Sequence, residues 1–370
     1  MDCPEKVYLV VTPEMARRGA DRRLSRQLRQ AGIESVVCAK APDSDFQRIR
    51  EFARQVAERV MDAGADAEII LNATGGNKLM SIAFVDVFRG IASRILYTDT
   101  AHRRIEYLPS EADPPAPTPM PNVLDVPGYL RAQGFHFQRA VSDDPTWQQH
   151  AAARKAASKY LGKKIGDPHL QQFVGALNAM ADKALESVPD SRAERLAAPV
   201  QSFTRAPRGI WADAMGHLAQ AGVLDWTPAS EYLRFADVDA ARFARGGWLE
   251  EYAYHVVHDA DIYDTRLGVS GVWDNEQTMA NELDVLACHL NQLLLIECKT
   301  LRLHEQNDNE IAYKLDSLGE DVRGLFGSTW LLSAREPTET LVARARRARI
   351  RLVGPAELQD LRRLVRQWRG

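Results

Sequence analysis

The chain has 370 residues, of which 45% are hydrophobic and 26% charged, a composition that supports a normal core and about two or three domains. A net charge of −3 excludes a chain that is basic throughout, and no run of ~18 or more apolar residues marks a membrane-spanning helix. The opening MDCPEKVYLVV lacks the basic region and cleavage site of a signal peptide, and Cys3, Cys38, Cys288 and Cys298 form no CxxC pair, which predicts reduced thiols in the cytoplasm and no structural zinc.

The first segment alternates strand and helix. Strands are expected at 6–12, 35–40, 68–73 and 93–100, with a short fifth at about 103–109. Helices are expected at 14–31, 45–64 and after Asn77. This alternation predicts a mainly parallel α/β sheet with helices on both faces and a ligand site beyond the carboxyl ends of the strands. Residues 109–127 hold a run of prolines and read as a loop, after which VPGYLRAQGFHF is expected to pack back on the first domain. From 144 to about 188 the pattern is helical and polar. Residues 209–226 read as an amphipathic helix running into a strand, which resembles part of a winged helix.

The stretch EIILNATGGNKLMSIAF, residues 68–84, carries the first candidate site. An apolar strand enters a glycine turn, and a helix follows. Gly75 and Gly76 allow positive φ and close backbone approach, and the helix aims its free N–H groups and positive dipole end at the same point. Asn72 and Thr74 are expected to add donors and Lys78 a positive charge. Neither GxGxxG nor the P-loop pattern is present, so the site suits a phosphodiester other than a dinucleotide or a nucleoside triphosphate.

The ordered set Asn72, Thr74, Gly75, Gly76, Asn77, Lys78 and Met80 resembles the ligand motif of CRISPR-associated Rossmann fold (CARF) sensors, in which the position of Asn77 is often Thr. Thr12-Pro13-Glu14 is similar to the family's first ligand loop, and Tyr97, Thr98 and Asp99 fall where another pocket loop is expected. The resemblance covers about residues 5–140. It implies binding of a cyclic oligoadenylate across the two-fold axis of a homodimer, each subunit supplying one copy of the cradle.

The second candidate site lies in NELDVLACHLNQLLLIECKT, residues 281–300. The stretch reads as a β-hairpin with His289 to Gln292 around the turn. With a two-residue turn, Asp284 shares a face with Glu297 and Lys299 and sits opposite one of the two, ~5 Å between Cβ atoms. The run LLLI before Glu297 predicts a strand buried on both sides, where charged groups are costly unless paired or metal-bound. Carboxylates bind hard Mg2+ or Mn2+, a metal activates water against a phosphodiester, and a lysine offsets charge in the transition state. A buried ion pair without catalysis would use the same residues.

The order Asp-x12-Glu-x-Lys resembles the PD-(D/E)xK nucleases, with Leu283 where proline is usual. Gly-Gly-Trp-Leu-Glu at 246–250 is similar to the helix opening that precedes the hairpin in CARF-linked members. That match implies Glu250 as the helix acid in preference to Glu251, whose alternative role is a complement to the helix dipole. It implies a metal held by Glu250, Asp284, Glu297 and the Cys298 carbonyl, and Lys314 as an auxiliary basic residue. The resulting expectation is an N-terminal Rossmann-like CARF domain (1–140), a helical or winged-helix-like connector (141–240) and a C-terminal α/β restriction-endonuclease-like domain (241–370). The order resembles the CRISPR ancillary nucleases activated by cyclic tetra-adenylate, which implies single-stranded DNA, RNA or nicked duplex DNA as substrate.

Two other readings compete. A CARF transcription regulator would use residues 209–236 as a winged helix and needs no downstream metal acids. A CARF ribonuclease of HEPN type needs Arg-x4–6-His, which Arg131-AQGF-His136 fits. His255 and His258 read as a helix face next to the acidic site, and Trp248 as core under the helix start. Residues 341–370 hold arginines 344, 346, 347, 349, 351, 362, 363, 366 and 369 against Glu357 and Asp360, a set that suits either phosphate contact or a solvated face.

Overall fold

The first expected strand is present as Lys6–Val11 in the computed structural model, which describes residues 3–62, 67–109, 113–189, 191, 193–274, 281–300, 322, 324 and 327–370. The chain divides into two units, Met1–Val123 and Leu124–Gly370.

In the first unit Lys6–Val11 pairs in parallel with Glu34–Ala39. Ile70–Asn72 pairs in parallel with Arg94–Asp99, which continues antiparallel to Arg104–Leu108 and then Thr118–Pro119. The expected single sheet is therefore two ladders. They share one core, in which Cys38, Ile49, Ala53, Ala83 and Ile95 pack with Tyr8 and Val10. The helix expected at 14–31 is two, Pro13–Arg17 and Ala20–Gln30. Gly19 separates them with φ +70°, a left-handed conformation that ends one helix and lets the next start. The proline-rich stretch is not wholly a loop, because Thr118–Pro119 adds two residues to the sheet edge.

The second unit is built on a six-stranded sheet in the order Ile350–Val353, Ser328–Ser333, Gln292–Lys299, Asn281–His289, Asp264–Trp273, Phe135–Ala140. The first three strands are parallel and the rest antiparallel. Phe135–Ala140 joins here through pairing with Asp264–Trp273, and helix Val126–Gln133 packs Tyr129 and Leu130 with Leu286 and Leu295. Residues 124–140 thus belong to the second unit, since the ladder gives this strand its backbone partners. The expected connector also shares this unit. Helices Pro145–Lys164 and Pro168–Ala184 bury Leu161 and Phe173 in the core that holds Trp248, Ile296 and Leu332. Helix Ile210–Gln220 leads to a small antiparallel sheet of Val200–Ser202, Tyr232–Phe235 and Leu224–Asp225, which is the element read as winged-helix-like.

Period-two alternation sets the two faces of the central hairpin. Val285, Ala287, Leu294 and Ile296 pack with helix Trp248–His258. Leu286, Cys288, Leu293 and Leu295 pack with Val126–Gln133. Among the described residues no helix is long and apolar enough to cross a membrane.

Candidate functional site

The cradle forms where strand Ile70–Asn72 ends. Asn72 Oδ1 accepts the Thr74 N–H at 3.0 Å, and Thr74 Oγ1 accepts the Thr98 N–H at 2.8 Å. These bonds fold the turn and tie it to the end of the neighbouring strand. Asn72 and Thr74 therefore act first as acceptors that shape the turn, rather than as the free donors expected. Asn77 caps helix Lys78–Phe88, its Oδ1 accepting the Met80 N–H at 3.0 Å. Thr is also a good cap, so the exchange at this position preserves the local structure. Asn77 Nδ2 also donates to the Asp43 carbonyl at 2.6 Å. That contact brings the loop after Glu34–Ala39 to the cradle, and nothing in the local sequence signalled it.

Of the two glycines only Gly76 has positive φ, +79°. A Cβ on Gly76 would stand 3.2 Å from Met80 Cβ, whereas one on Gly75 would meet nothing within 4 Å. Gly75, Gly76 and Lys78 are exposed. Thr12 and Asp99 sit at the carboxyl ends of their strands. Thr12 Oγ1 accepts the Met15 N–H at 3.3 Å and caps Pro13–Arg17; Glu14 pairs with Arg18 at 2.6 Å. Asp99 Oδ2 pairs with His102 Nδ1 at 2.6 Å, and that bond lowers the Asp99 pKa.

The acidic site forms where the central hairpin opens. Its turn residues, Leu290 and Asn291, have φ +47° and +59°, a two-residue turn of the kind that matches strand twist. The ladder runs from His289↔Gln292 to Val285↔Ile296 and ends one residue short of Asp284 and Glu297. At that step a side chain takes over from the ladder: Asp284 Oδ2 accepts the Cys298 N–H at 2.7 Å. Glu297 is buried, and Lys299 Nζ donates to its Oε1 at 2.7 Å. Burial works against the Lys299 charge, but Glu297 and Asp284 outweigh it and raise its pKa.

Glu250 stands in the field of these groups. Burial drives its pKa well above the ordinary carboxylate value; Asp284, Glu282 and Glu297 add to the rise, and Lys299 opposes it. Glu282, two residues before Asp284 on strand Asn281–His289, was missed in the sequence although its spacing was visible. Glu251 turns the other way. It pairs with buried Arg154 through Oε1 at 2.6 Å and Oε2 at 3.2 Å, so its role is an ion pair rather than a dipole complement. Burial pushes the Glu251 carboxyl up to about 7, with Arg154 holding it down. His255 follows Glu251 one turn later. It is buried, with Nε2 3.1 Å from the Ala151 carbonyl, so it faces helix Pro145–Lys164 and not the acids.

Trp248 is fully buried at the helix start, as expected. Arg131 and His136 do not share a helical setting. His136 lies on the edge strand Phe135–Ala140 and its Nε2 is 2.6 Å from Asp274 Oδ1. Lys314 lies outside the described residues. Among the described residues no three His, Cys, Asp or Glu side chains are set to hold a metal ion; Glu297 is drawn to Lys299, and Asp284 to the Cys298 N–H. The carboxylates of Asp284 and Glu297, with Glu250 in their field, are hard oxygen donors of the kind that Mg2+ or Mn2+ takes.

Comparison with known proteins gives two family matches. Residues 1–129 match the Card1 CARF domain, and residues 237–370 match the Card1-like endonuclease domain. Among solved structures, protein VC1899 from Vibrio cholerae aligns at 22% identity over 99% of this chain and 91% of that one, with a TM-score of 0.78. Can2 from Sulfobacillus thermosulfidooxidans, in complex with cyclic tetra-adenylate, aligns at 23% identity over 97% and 89%, with a TM-score of 0.69. A type III CRISPR defence DNA nuclease activated by cyclic oligoadenylate aligns at 16% identity over 90% of this chain and 42% of that one, with a TM-score of 0.51. At these identities the likeness is one of fold. No curated protein matches.

Proposed function

Since this chain belongs to the proteins that join a Card1 CARF domain to a Card1-like endonuclease domain, we propose that it is a metal-dependent endonuclease of type III CRISPR antiviral defence, switched on by cyclic tetra-adenylate and cutting single-stranded DNA or RNA. The observation that carries the catalytic half is the meeting of Asp284, Glu297, Lys299 and Glu250 where the hairpin opens. Burial first, and then the neighbouring acids, raise the Glu250 pKa, and a divalent cation among them would relieve the repulsion between the acids. Glu250, Asp284, Glu297 and the Cys298 carbonyl would hold Mn2+ or Mg2+, with Glu297 turning from Lys299. The metal would supply Lewis acidity and an acidified water. Lys299 then holds its proton beside the reacting phosphate and offsets the charge that develops there.

For the sensor half, the cradle of Asn72, Thr74, Gly75, Gly76, Asn77 and Lys78 would take the messenger's phosphates, with Thr12, Pro13, Glu14, Thr98 and Asp99 completing the pocket. A symmetric ring suits two copies of one site, and hence a homodimer. Leu79 and Ile82 support this: they are 44% and 57% exposed at i, i+3 on the helix that starts at the cradle, an apolar stripe suited to self-association. The messenger would favour one dimer geometry, by its differential affinity for two states. Linkage is reciprocal, so an oligonucleotide bound with non-catalytic Ca2+ should tighten messenger binding in Glu297→Ala protein.

The test incubates purified protein with Mn2+, labelled single-stranded DNA or RNA, and each cyclic oligoadenylate in turn. Cleavage is expected with cyclic tetra-adenylate and not without it. Cleavage that persists in EDTA sinks the metal mechanism, and cleavage independent of every messenger sinks the sensor reading.

A further inference from the structure

Residues 344–351, RARRARIR, hold five arginines and no acid. They form the last turn of helix Glu339–Arg347, the turn after it, and the start of strand Ile350–Val353 at the sheet edge. Arg346, Arg347, Arg349 and Arg351 are exposed and Arg344 half-buried. Elsewhere in the C-terminal segment Arg363 pairs with Asp360 and Arg369 with Asp261. Among the described residues none of the five arginines of 344–351 stands within ion-pair distance of a carboxylate.

Two details argue against a merely solvated face. Arg349 has φ +57° at the position after a helix end where glycine is favoured, so an arginine is kept there against backbone preference. The Arg351 guanidinium stands over the Trp330 ring, 5.2 Å from its centroid, which holds it at the sheet edge. A helix C-terminus favours cations in its last turn; that accounts for Arg344, Arg346 and Arg347 but not for Arg349 or Arg351.

We propose that this arginine cluster is a second nucleic-acid contact, gripping the backbone of the substrate strand away from the cut. The assignment rests on the nuclease reading above. The ladders fix its distance from the acids. Lys299 is level with Ser333, and Arg351 with Trp330. Arg349 is two residues earlier, so it sits about five residues below Lys299 and two strands across, ~16 Å by ~10 Å and so ~20 Å in all. That is about six phosphates of a helical strand at its ~3.4 Å spacing. The cluster therefore meets long substrates and not the scissile phosphate.

The test measures binding of a labelled single-stranded DNA of about twenty nucleotides to the full chain across a salt series. A variant with Arg346→Gln, Arg347→Gln and Arg351→Gln should lower the slope of log K against log salt by about two, at ~0.7 per lost contact. Arg349→Gly should raise the melting temperature, because glycine relieves the left-handed position, and still weaken binding; a merely structural arginine would not separate these two effects. With messenger and Mn2+, KM should rise for the long strand, while kcat and the cutting of a trinucleotide stay unchanged. An unchanged salt slope in the triple variant overturns the proposal. Wild-type protein that binds DNA through these arginines but cuts nothing would sink the nuclease reading and leave the contact standing.

Discussion

Asp284 reaches across the open end of the hairpin to accept the Cys298 main-chain N–H at 2.7 Å. One carboxylate thus closes the strand fork and offers its charge to the acidic site. Asp284→Ala should abolish cleavage and leave a half-buried N–H without its partner, at ~1–3 kcal/mol of stability. Asp284→Asn keeps an acceptor oxygen, so it should stay near wild-type stability and still fail to cleave. Melting curves beside cleavage assays separate the two effects, and an active Asp284→Asn would remove this residue from the reaction.

Glu297 and Lys299 form a partly buried pair at 2.7 Å. Glu297→Ala and Lys299→Ala should each reduce cleavage below detection and leave messenger affinity within about twofold, ~0.4 kcal/mol. Titration calorimetry with cyclic tetra-adenylate measures the second quantity. Full activity in either variant would exclude that side chain from catalysis.

Gly76 has φ +79° and faces Met80. Gly76→Asp adds a strained Cβ and a negative charge where phosphate must approach, so messenger affinity should fall by roughly tenfold or more, ~1.4 kcal/mol. Lys78→Ala removes one exposed charge and should cost roughly fivefold, ~1 kcal/mol. Calorimetry that finds neither loss would move the pocket elsewhere.

Burial, with Lys155 adding to it, lowers the His255 pKa to about 4 from 6.5. The unfolded chain takes up this proton below about pH 6.5 and the folded chain only below about pH 4. The stability tied to neutral His255 is therefore full above pH 6.5 and is lost as pH falls toward 4, by ~3 kcal/mol at most. His255→Gln retains a donor for the Ala151 carbonyl and does not titrate. Its stability should fall less than wild type between pH 6.5 and 4 in chemical denaturation, and parallel curves would refute the assignment.

The sequence alone determined what neighbours in the chain control. The strand–turn–helix of the cradle follows from Asn72, Gly76 and the Asn77 cap, whose partners lie within a few residues. The hairpin register from His289↔Gln292 to Val285↔Ile296 follows from a two-residue turn and alternating apolar positions, and it brings Asp284 and Glu297 to the end of the same ladder. The tertiary structure decided what depends on distant packing. Residues 250 and 251 lie ~100° apart on a helix of 3.6 residues per turn, so which acid meets Asp284 depends on how that helix is rotated. Arg154, 97 positions from Glu251 in the chain, holds Glu251 on the far side, and no local pattern carries that information. The same holds for 124–140: an apolar helix and strand can complete either sheet by composition, and pairing with Asp264–Trp273 assigns them to the second.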